Sequence, residues 1–353
     1  IFRAVAFPAH SRLLEMMEYV AANPKLCAAA VLAAGSAAAL RWLAVAPLPK
    51  SGAEERAEMA REWWVKYLKI TPHFDQLIKD LRIQHMGSDG TARGSITAAG
   101  PLLSATGTLH EGGLFELIDT FGSLAVMAAG HPAGVSLEMG ASILSQVHAG
   151  EELNIESRIL RIGSTVGFTA VEVSRAGGKR VASATHTKHI GQPPLERIRQ
   201  NLLARCVPVA RWLSQRALRR MEAGMAQLPR LSSGTMEEAL ALQLLPSGHE
   251  SGAHSYAVEH LHLLNGYWAG HGASSAGLLA AAARELLRSN GVENACFQDI
   301  SILYMNPVPA WKPVGLFVAP LASEEKPGAL SIAVEMRNES KVFVRGRFTA
   351  LLG

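Results

Sequence analysis

The sequence predicts an α+β protein made of two similar domains, in each of which one antiparallel sheet wraps around one long helix. The chain has 353 residues, more than one domain usually holds. One order of helix and strand patterns occurs twice, with a period of about 160 residues. The central helix of the first copy, Leu114–Met127, is apolar nearly all round, so it must be enclosed by other structure.

The composition is that of a folded protein and argues against several function classes. Hydrophobic residues make up 48% of the chain and charged residues 18%, with a net charge of +4. The basic residues form no aromatic-interleaved patches, which argues against nucleic-acid binding. Cys27, Cys206 and Cys296 form no C-x-x-C pair, so neither a metal site nor a disulfide framework is indicated.

The first 72 residues form an extension ahead of the repeats. From Ile1 to Leu14 there are two arginines and no acid, which is typical of a mitochondrial targeting region. An apolar helix is predicted over Pro24–Ala46, and its length of roughly 34 Å exceeds a hydrocarbon core of about 30 Å. We expect this helix either to anchor the chain in the inner mitochondrial membrane or to pack against a partner protein. A charged connector helix is predicted over Ala53–Lys69.

The first copy covers residues 73–191 and carries the clearer pattern. A short amphipathic helix is predicted over Phe74–Ile83, followed by a strand from Gly94 and then by the enclosed helix. Four strands are predicted after that helix. They are Gly134–Leu144, Leu153–Ile162, Thr165–Ser174 and Lys179–Ile190.

The second copy covers residues 236–353 and repeats this order. A helix over Met236–Leu245, a strand over Ser255–Leu264 and a helix over Ser274–Ser289 precede four strands. These strands are Gln298–Tyr304, Val314–Leu321, Leu330–Arg337 and Val342–Leu351. Between the copies, residues 192–235 form a basic helical linker, either solvated or lying on an anionic surface.

Three separated motifs in the first copy point to a known family. They are GTLHEGGLFELID from Gly107, PAGVSLEM from Pro132 and GKRVASATHTKHIG from Gly178. In this order they resemble the PaaI-like acyl-CoA thioesterases, which have the hotdog fold. The second copy resembles the same fold only in its layout.

The resemblance implies a site shared between two hotdog domains. One domain contributes an Asn and a His-Gly-Gly turn at a helix start, and the other contributes an Asp and a Ser. Carried over by position, the acid is Asp119 and the serine is Ser136. The resemblance implies acyl-CoA as the substrate. Coenzyme A is then part of the substrate, and no separate cofactor is expected. Lys188 and Arg158 are the residues expected to contact the coenzyme A phosphates.

Each copy departs from the family pattern in a different half of the site. The first copy has Ser104 in place of Asn, Glu111 in place of glycine, and Gly140 where the family has a polar residue. The second copy keeps Asn265, His271 and Gly272 but has Ala280 in place of the acid. We therefore predict one composite site, whose residues are Asp119, Ser136, Asn265, His271 and Gly272.

The predicted chemistry follows from the residue types. Unpaired N–H groups at a helix start can polarise a thioester carbonyl, and a nearby carboxylate can activate water or attack directly. Burial is expected to raise the pKa of Asp119. His110 is expected to orient its turn. The His186–His189 cluster is expected on a strand without an acid partner, where surface or phosphate contact is favoured over metal binding.

Two functions fit this sequence. The first is hydrolysis of fatty acyl-CoA at the composite site. The second is a non-catalytic subunit of a mitochondrial membrane complex, because duplication followed by loss of site residues is what recruitment as a scaffold leaves behind.

Overall fold

The computed structural model describes residues 39–43, 48–226, 234–240, 263, 270–292, 295–309, 314–321 and 328–351. The α-helices with both ends in these ranges are α1 (Ala53–Ile70), α2 (Glu111–Ala128), α3 (Pro194–Arg205), α4 (Val207–Met225), α5 (Met236–Leu240) and α6 (Gly272–Ser289). The strands are β1 (Arg82–Gly87), β2 (Thr91–Thr97), β3 (Val135–Ile143), β4 (Glu152–Ile162), β5 (Val166–Arg175), β6 (Arg180–His189), β7 (Cys296–Tyr304), β8 (Gly315–Leu321), β9 (Ala329–Arg337) and β10 (Val342–Leu351).

The chain divides into two compact units. The smaller comprises residues 1–49 and 192–206. Within it, Asn201 on α3 donates its side-chain N–H to the carbonyl of Leu43 over 2.9 Å, and the Arg205 guanidinium lies 4.8 Å from the Trp42 ring centroid. The larger unit comprises residues 50–191 and 207–353 and contains every described strand.

One ten-stranded sheet organises the larger unit, in the order β1-β2-β4-β5-β6-β3-β7-β10-β9-β8. All neighbouring strands are antiparallel, and β3 joins β7 where the two halves of the sheet meet. Gly140 stands opposite Ser301 at the centre of this junction. Helix α2 packs on the strands of the first half, and α6 packs on those of the second.

The pairing register is the same in both halves. In the first half, Ser136 on β3 stands opposite Lys188 on β6, and a bulge follows before the next pair. In the second half, Phe297 on β7 stands opposite Ala350 on β10, and a bulge follows at the same place. Because a bulge fixes the register on either side of it, residues of the two halves can be matched one to one.

Helix α2 is the centre of the first half. Its N-cap, His110, accepts a hydrogen bond from the Gly112 N–H at 2.9 Å, as expected for a residue that orients the turn. Every residue of α2 except Met127 is buried. Replacing a fully buried ring such as Phe121 by alanine would cost about 3–5 kcal/mol.

Helices α2 and α6 pack directly on each other. Gly112 and Gly277 make the close approach possible, since a Cβ atom on either would lie 3.1 Å from the Cα atom of the other. This contact brings the start of each helix beside the middle of the other.

The predicted connector helix is present as α1, which packs against α4, β1 and α2. Its side chains include Trp63, stacked 5.1 Å from Tyr67. The basic linker contains α3 and α4, and Arg211 on α4 forms an ion pair with Glu62 on α1. The part of the linker in α4 is therefore packed against α1 along one face.

One predicted element is wrong. Residues 74–83 are not a helix: a short 3₁₀ turn, Phe74–Ile78, is followed by β1 from Arg82. The spacing of the apolar residues fits a helix. The end of this segment instead belongs to β1, which pairs with β2 through a turn at Asp89-Gly90, and this hairpin takes precedence over the helical pattern.

Within the described ranges, no helix is long and apolar enough to cross a membrane. The predicted apolar helix Pro24–Ala46 lies outside these ranges except for residues 39–43, which are helical. The predicted strand Ser255–Leu264 also lies outside them, save for Leu263.

Candidate active site

Asp119 lies in the third turn of α2 with 8% of its surface exposed, facing β3 and β6. Its Oδ1 atom accepts hydrogen bonds from the Lys188 ammonium at 3.1 Å and from the Ser136 hydroxyl at 3.4 Å. Lys188 also donates to Ser123 Oγ at 2.8 Å, and Ser123 donates to the backbone carbonyl of Asp119 at 2.7 Å. Two side chains therefore hold the carboxylate, and Ser123 links the Lys188 ammonium to the backbone of Asp119.

His186 completes this arrangement. Its Nε2 atom lies 2.9 Å from Ser136 Oγ and 3.7 Å from Asp119 Oδ1, and the ring is fully buried. Burial and the adjacent Lys188 charge lower the pKa of His186 to about 3. The ring is therefore neutral at physiological pH, and its contact with the serine is a hydrogen bond between neutral groups.

The start of α6, which belongs to the second half of the sheet, faces Asp119. A Cβ atom on Gly272 would lie 2.8 Å from Asp119 Oδ2 and 3.1 Å from Ser136 Oγ. His271 caps the helix by accepting the Ala273 N–H on Nδ1 at 3.1 Å. Tyr304 on β7 fixes the same turn, since its hydroxyl donates to the Gly272 carbonyl at 2.7 Å.

The ionisation of Asp119 is opposite to the sequence expectation. Burial alone would raise its pKa, but the Lys188 ammonium beside it outweighs burial and holds the pKa far below the usual range. The expectation of a raised pKa is wrong because it took no account of a cation 3.1 Å away. Asp119 is a carboxylate at every physiological pH.

A second buried cluster lies behind the α6 start. His271 Nε2 is 3.3 Å from Asp75 Oδ1, and His271 Nδ1 is 3.6 Å from Glu116 Oε2. Burial raises the pKa of Glu116 to about 8. The facing carboxylates Glu116, Asp75 and Asp119 favour a proton on His271, but Nδ1 accepts the Ala273 N–H and must keep its lone pair, so the ring is neutral with its proton on Nε2. At neutral pH the carboxyl proton of the cluster is therefore on Glu116.

Asp75, Glu116 and His271 could also be considered as metal ligands, since one donor atom of each lies within 4.8 Å of the others. His271, however, uses Nδ1 for the helix cap and Nε2 for Asp75. One imidazole cannot present both nitrogens to the same ion. This geometry favours a hydrogen-bonded ion-pair network over a metal centre.

The matched place in the second half lacks the polar cluster. By register and spacing, an apolar side chain stands at each of four positions: Ala280 for Asp119, Phe297 for Ser136, Phe348 for His186 and Ala350 for Lys188. These four are all buried, and the two phenylalanine rings lie 5.2 Å apart. None of these four residues can supply a carboxylate to act on a substrate.

An ion pair occupies the rest of that place. Glu111 stands where the first site has Gly272, and Arg284 stands where it has Ser123. Arg284 Nε donates to Glu111 at 3.0 Å, and a second guanidinium N–H also donates to this carboxylate. The Arg284 charge outweighs burial and lowers the pKa of Glu111. The two substitutions compensate each other.

The structure thus brings together Asp119, Ser136, His271 and Gly272 of the predicted site. Asn265 lies outside the described residues. Arg158 is exposed on β4, three strands from β3 in the sheet.

Lys188 is not at a surface mouth as predicted, since only 2% of it is exposed and its ammonium pairs with Asp119. The expected surface cluster is likewise wrong for His186. The alternation of side chains along a strand could have indicated their shared position, because His186 and Lys188 alternate with Thr185 and Thr187 and so lie on one face of the sheet. Sequence analysis also missed Asp75 and Glu116.

Comparisons with known proteins find similarity to thioesterases. Residues 106–182 match the family model of the thioesterase superfamily. Human acyl-coenzyme A thioesterase 13 is 37% identical over 90 residues, which are 25% of this chain and 64% of the human protein. The chain thus spans less than two thirds of the length of the curated relatives it matches.

Solved structures extend the likeness in fold. A candidate thioesterase from Novosphingobium aromaticivorans matches with a TM-score of 0.52 at 15% identity, over 77% of this chain and 98% of that protein. The 12:0-ACP thioesterase from Umbellularia californica matches with a TM-score of 0.50 at 10% identity, over 74% of this chain and 94% of that protein. The chain has the hotdog fold, and its residues 106–182 match the thioesterase superfamily.

Proposed function

We propose that this protein hydrolyses acyl-CoA thioesters at one composite site between two hotdog domains of the same chain. The observation that carries the proposal is the contact between the two halves: the α6 start at Gly272 lies against the carboxylate of Asp119 on α2. A helix start and an ionised carboxylate facing each other supply the two groups that thioester hydrolysis needs.

The two-domain interpretation rests on the repeated register. Both halves place a helix on the sheet, cap it with a histidine, and carry a bulge at the same strand pair. The structural matches support it too, because they cover about three quarters of the chain, far more than residues 73–191.

The chemistry follows from the positions of the groups. N–H groups of the first turn of α6 carry partial positive charge and have no partner inside the helix, so they can bind the thioester carbonyl oxygen. Ionised Asp119 accepts a hydrogen bond from water, which Ser136 helps to orient. As the water oxygen bonds to the carbonyl carbon, its proton passes to Asp119. The C–S electron pair leaves with the thiolate, which then takes up a proton.

The other pseudo-equivalent place is proposed to be inactive. A substrate carbonyl there would meet the Glu111 side chain in place of a glycine and would find Ala280 in place of an acid. One active site per chain follows from this difference.

The acyl-CoA substrate class is proposed from the relatives, since the human protein that matches residues of the first half is named an acyl-coenzyme A thioesterase. Arg158 remains the candidate contact for the coenzyme A phosphates, because it is exposed. Lys188 does not serve this role in the proposal, because Asp119 and Ser123 engage its ammonium.

Release of free thiol from a long-chain acyl-CoA by the full chain tests the proposal. We expect Asp119→Asn to lower kcat by roughly 10²–10⁴-fold, the usual effect of removing a general base. Glu152→Gln, an exposed change on β4, should leave the rate unchanged. Hydrolysis that survives Asp119→Asn would contradict the proposed site, and a wild type that releases no thiol would leave the structural-subunit function as the better explanation.

A further inference from the structure

The hydrogen bonds behind His271 extend beyond the segment that matches the thioesterase family. Asp75 Oδ1 lies 3.3 Å from His271 Nε2, while its other oxygen, Oδ2, accepts the Tyr67 hydroxyl at 3.0 Å. Tyr67 lies in the last turn of α1, and Asp75 lies in the 3₁₀ turn after it. Both residues precede residues 106–182, which match the family model.

Tyr67, Asp75 and His271 form a buried chain of hydrogen bonds. Asp75 is 4% exposed, Tyr67 is 5% exposed and His271 is 7% exposed. Stacking on Trp63 at 5.1 Å orients the Tyr67 ring, and the Phe74 ring lies 5.6 Å from that of His271. With little room to rotate, each group constrains the next.

Asp75 decides which nitrogen of His271 carries a proton. A carboxylate accepts only, so Nε2 must be the donor. In the neutral ring this leaves Nδ1 with its lone pair, as the cap on the Ala273 N–H requires. The cap in turn holds the first turn of α6, including Gly272, against Asp119.

The opposite helix start provides an internal comparison. His110 caps α2 through Nδ1 in the same way, but its Nε2 is buried without a hydrogen-bond partner in the described part of the chain. His271, which Asp75 supports, therefore lies beside the Asp119 carboxylate. His110, which has no such partner among the described residues, lies at the place that lacks an acid.

We propose that Asp75, held by Tyr67, is a positioning residue for the composite site: it fixes the His271 tautomer and thereby the α6 turn that binds the thioester carbonyl. This role rests on the proposed function. Asp75 and Tyr67 are expected to touch neither substrate nor water, and to act through His271 alone.

Asp75→Asn tests the proposal with little change in shape. An asparagine amide can point its N–H groups at Nε2, which moves the histidine proton to Nδ1 and opposes the Ala273 cap. We expect kcat to fall roughly tenfold to a hundredfold, as small misplacements at active sites do, with KM changed less than about twofold. Tyr67→Phe, which leaves Asp75 in place, should cause a smaller fall in kcat.

Nitrogen NMR of the histidine rings in the full chain gives a readout independent of activity. In the wild type, Nε2 of His271 should be protonated across the whole titration. In Asp75→Asn, the neutral ring should carry its proton on Nδ1, while the His110 signals stay unchanged. The titrating or charged neighbours that contribute to this signal are Asp75 and His73 before β1, Glu116 and Asp119 on α2, and His186 and Lys188 on β6.

The outcomes separate the two proposals. A wild type without Asp119-dependent hydrolysis overturns the enzyme function, while the ring signals still report whether Asp75 sets the tautomer. An unchanged tautomer in folded Asp75→Asn overturns the positioning role, as does unchanged kcat in an active enzyme. If Asp75→Asn unfolds, Tyr67→Phe decides by kcat: a fall in kcat with KM and the tautomer unchanged supports the positioning role, and an unchanged kcat in an active enzyme overturns it.

Discussion

Asp119 and Lys188 form an ion pair with 3.1 Å between Oδ1 and Nζ, closed off from solvent between α2 and β6. Removing one partner of a buried pair of this kind leaves an uncompensated buried charge. It makes Asp119 an anion at the point where the α6 start supplies N–H donors.

Replacing Lys188 by methionine should move the acid limb of the pH–rate profile to higher pH. Lys188 lowers the Asp119 pKa, so without it burial raises that pKa, and activity that needs the carboxylate is lost at a higher pH. The profile of kcat/KM against pH measures the shift. An acid limb at the same pH in both proteins would mean that Asp119 is not the group required in its ionised form.

The same change should alter stability in a defined direction. In the wild type, the folded pKa of Asp119 is below its unfolded value of about 3.9. Its contribution to the free energy of unfolding is therefore present above about pH 3.9 and is lost as the pH falls towards the folded pKa. Lys188→Met leaves a buried carboxylate unpaired and should cost about 3–5 kcal/mol. Adding Asp119→Asn should recover part of this loss in urea unfolding.

Gly272→Ala should abolish most hydrolysis without unfolding the protein. The added methyl group would lie 2.8 Å from Asp119 Oδ2, in the space where we place the thioester carbonyl. The matched control is Gly224→Ala on α4, where a Cβ atom meets nothing within 4 Å. Thiol release near the wild-type rate in Gly272→Ala would place the substrate elsewhere.

Glu116→Gln should make the protein less sensitive to alkaline pH. Burial raises the folded pKa of Glu116 to about 8, above its unfolded value of about 4.5, so the folded state holds an extra proton. Its contribution to the free energy of unfolding is full below about pH 4.5 and is lost as the pH rises towards 8. The variant removes this titration.

Urea unfolding at about pH 7 and about pH 9.5 measures this difference. The free energy of unfolding should fall between these values in the wild type, and fall less in Glu116→Gln. Glu152→Gln should behave as the wild type does. An equally steep fall in Glu116→Gln would show that other groups cause the alkaline loss.

The Glu111–Arg284 pair should matter for stability and not for hydrolysis. Glu111→Gln leaves Arg284 without its counter-charge and should destabilise the fold by about 3–5 kcal/mol, whereas combining Glu111→Gln with Arg284→Met should be milder. At temperatures where all variants are folded, kcat should stay within about twofold of the wild type. A large loss of kcat would mean that this place takes part in catalysis.

The elements that can be predicted from the sequence are those with a clear local pattern. Helix α2 could be predicted because its residues are apolar on all sides, and the β5–β6 hairpin because Ala176-Gly177-Gly178 supplies turn residues. The site residues Asp119, Ser136 and Gly272 could be proposed because separated motifs resemble one family.

The environment of these residues could not be predicted in the same way. Asp75 meets His271 across 196 residues of sequence, and no local pattern indicates that contact. The sequence predicts Lys188 at the site mouth because coenzyme A phosphates need basic contacts, whereas in the structure a carboxylate and a hydroxyl compensate its burial. The wrong sign of the Asp119 pKa has the same origin, since a pKa depends on neighbours that only the fold brings together.

The most direct test of a single composite site is the binding stoichiometry of a non-hydrolysable acyl-CoA, in which a ketone replaces the thioester, measured by titration calorimetry on the full chain. We predict one molecule bound per chain, with binding lost in Gly272→Ala and retained in Glu111→Gln. Two molecules per chain, or one that survives Gly272→Ala and is lost in Glu111→Gln, would contradict the assignment of the site to Asp119 and the start of α6.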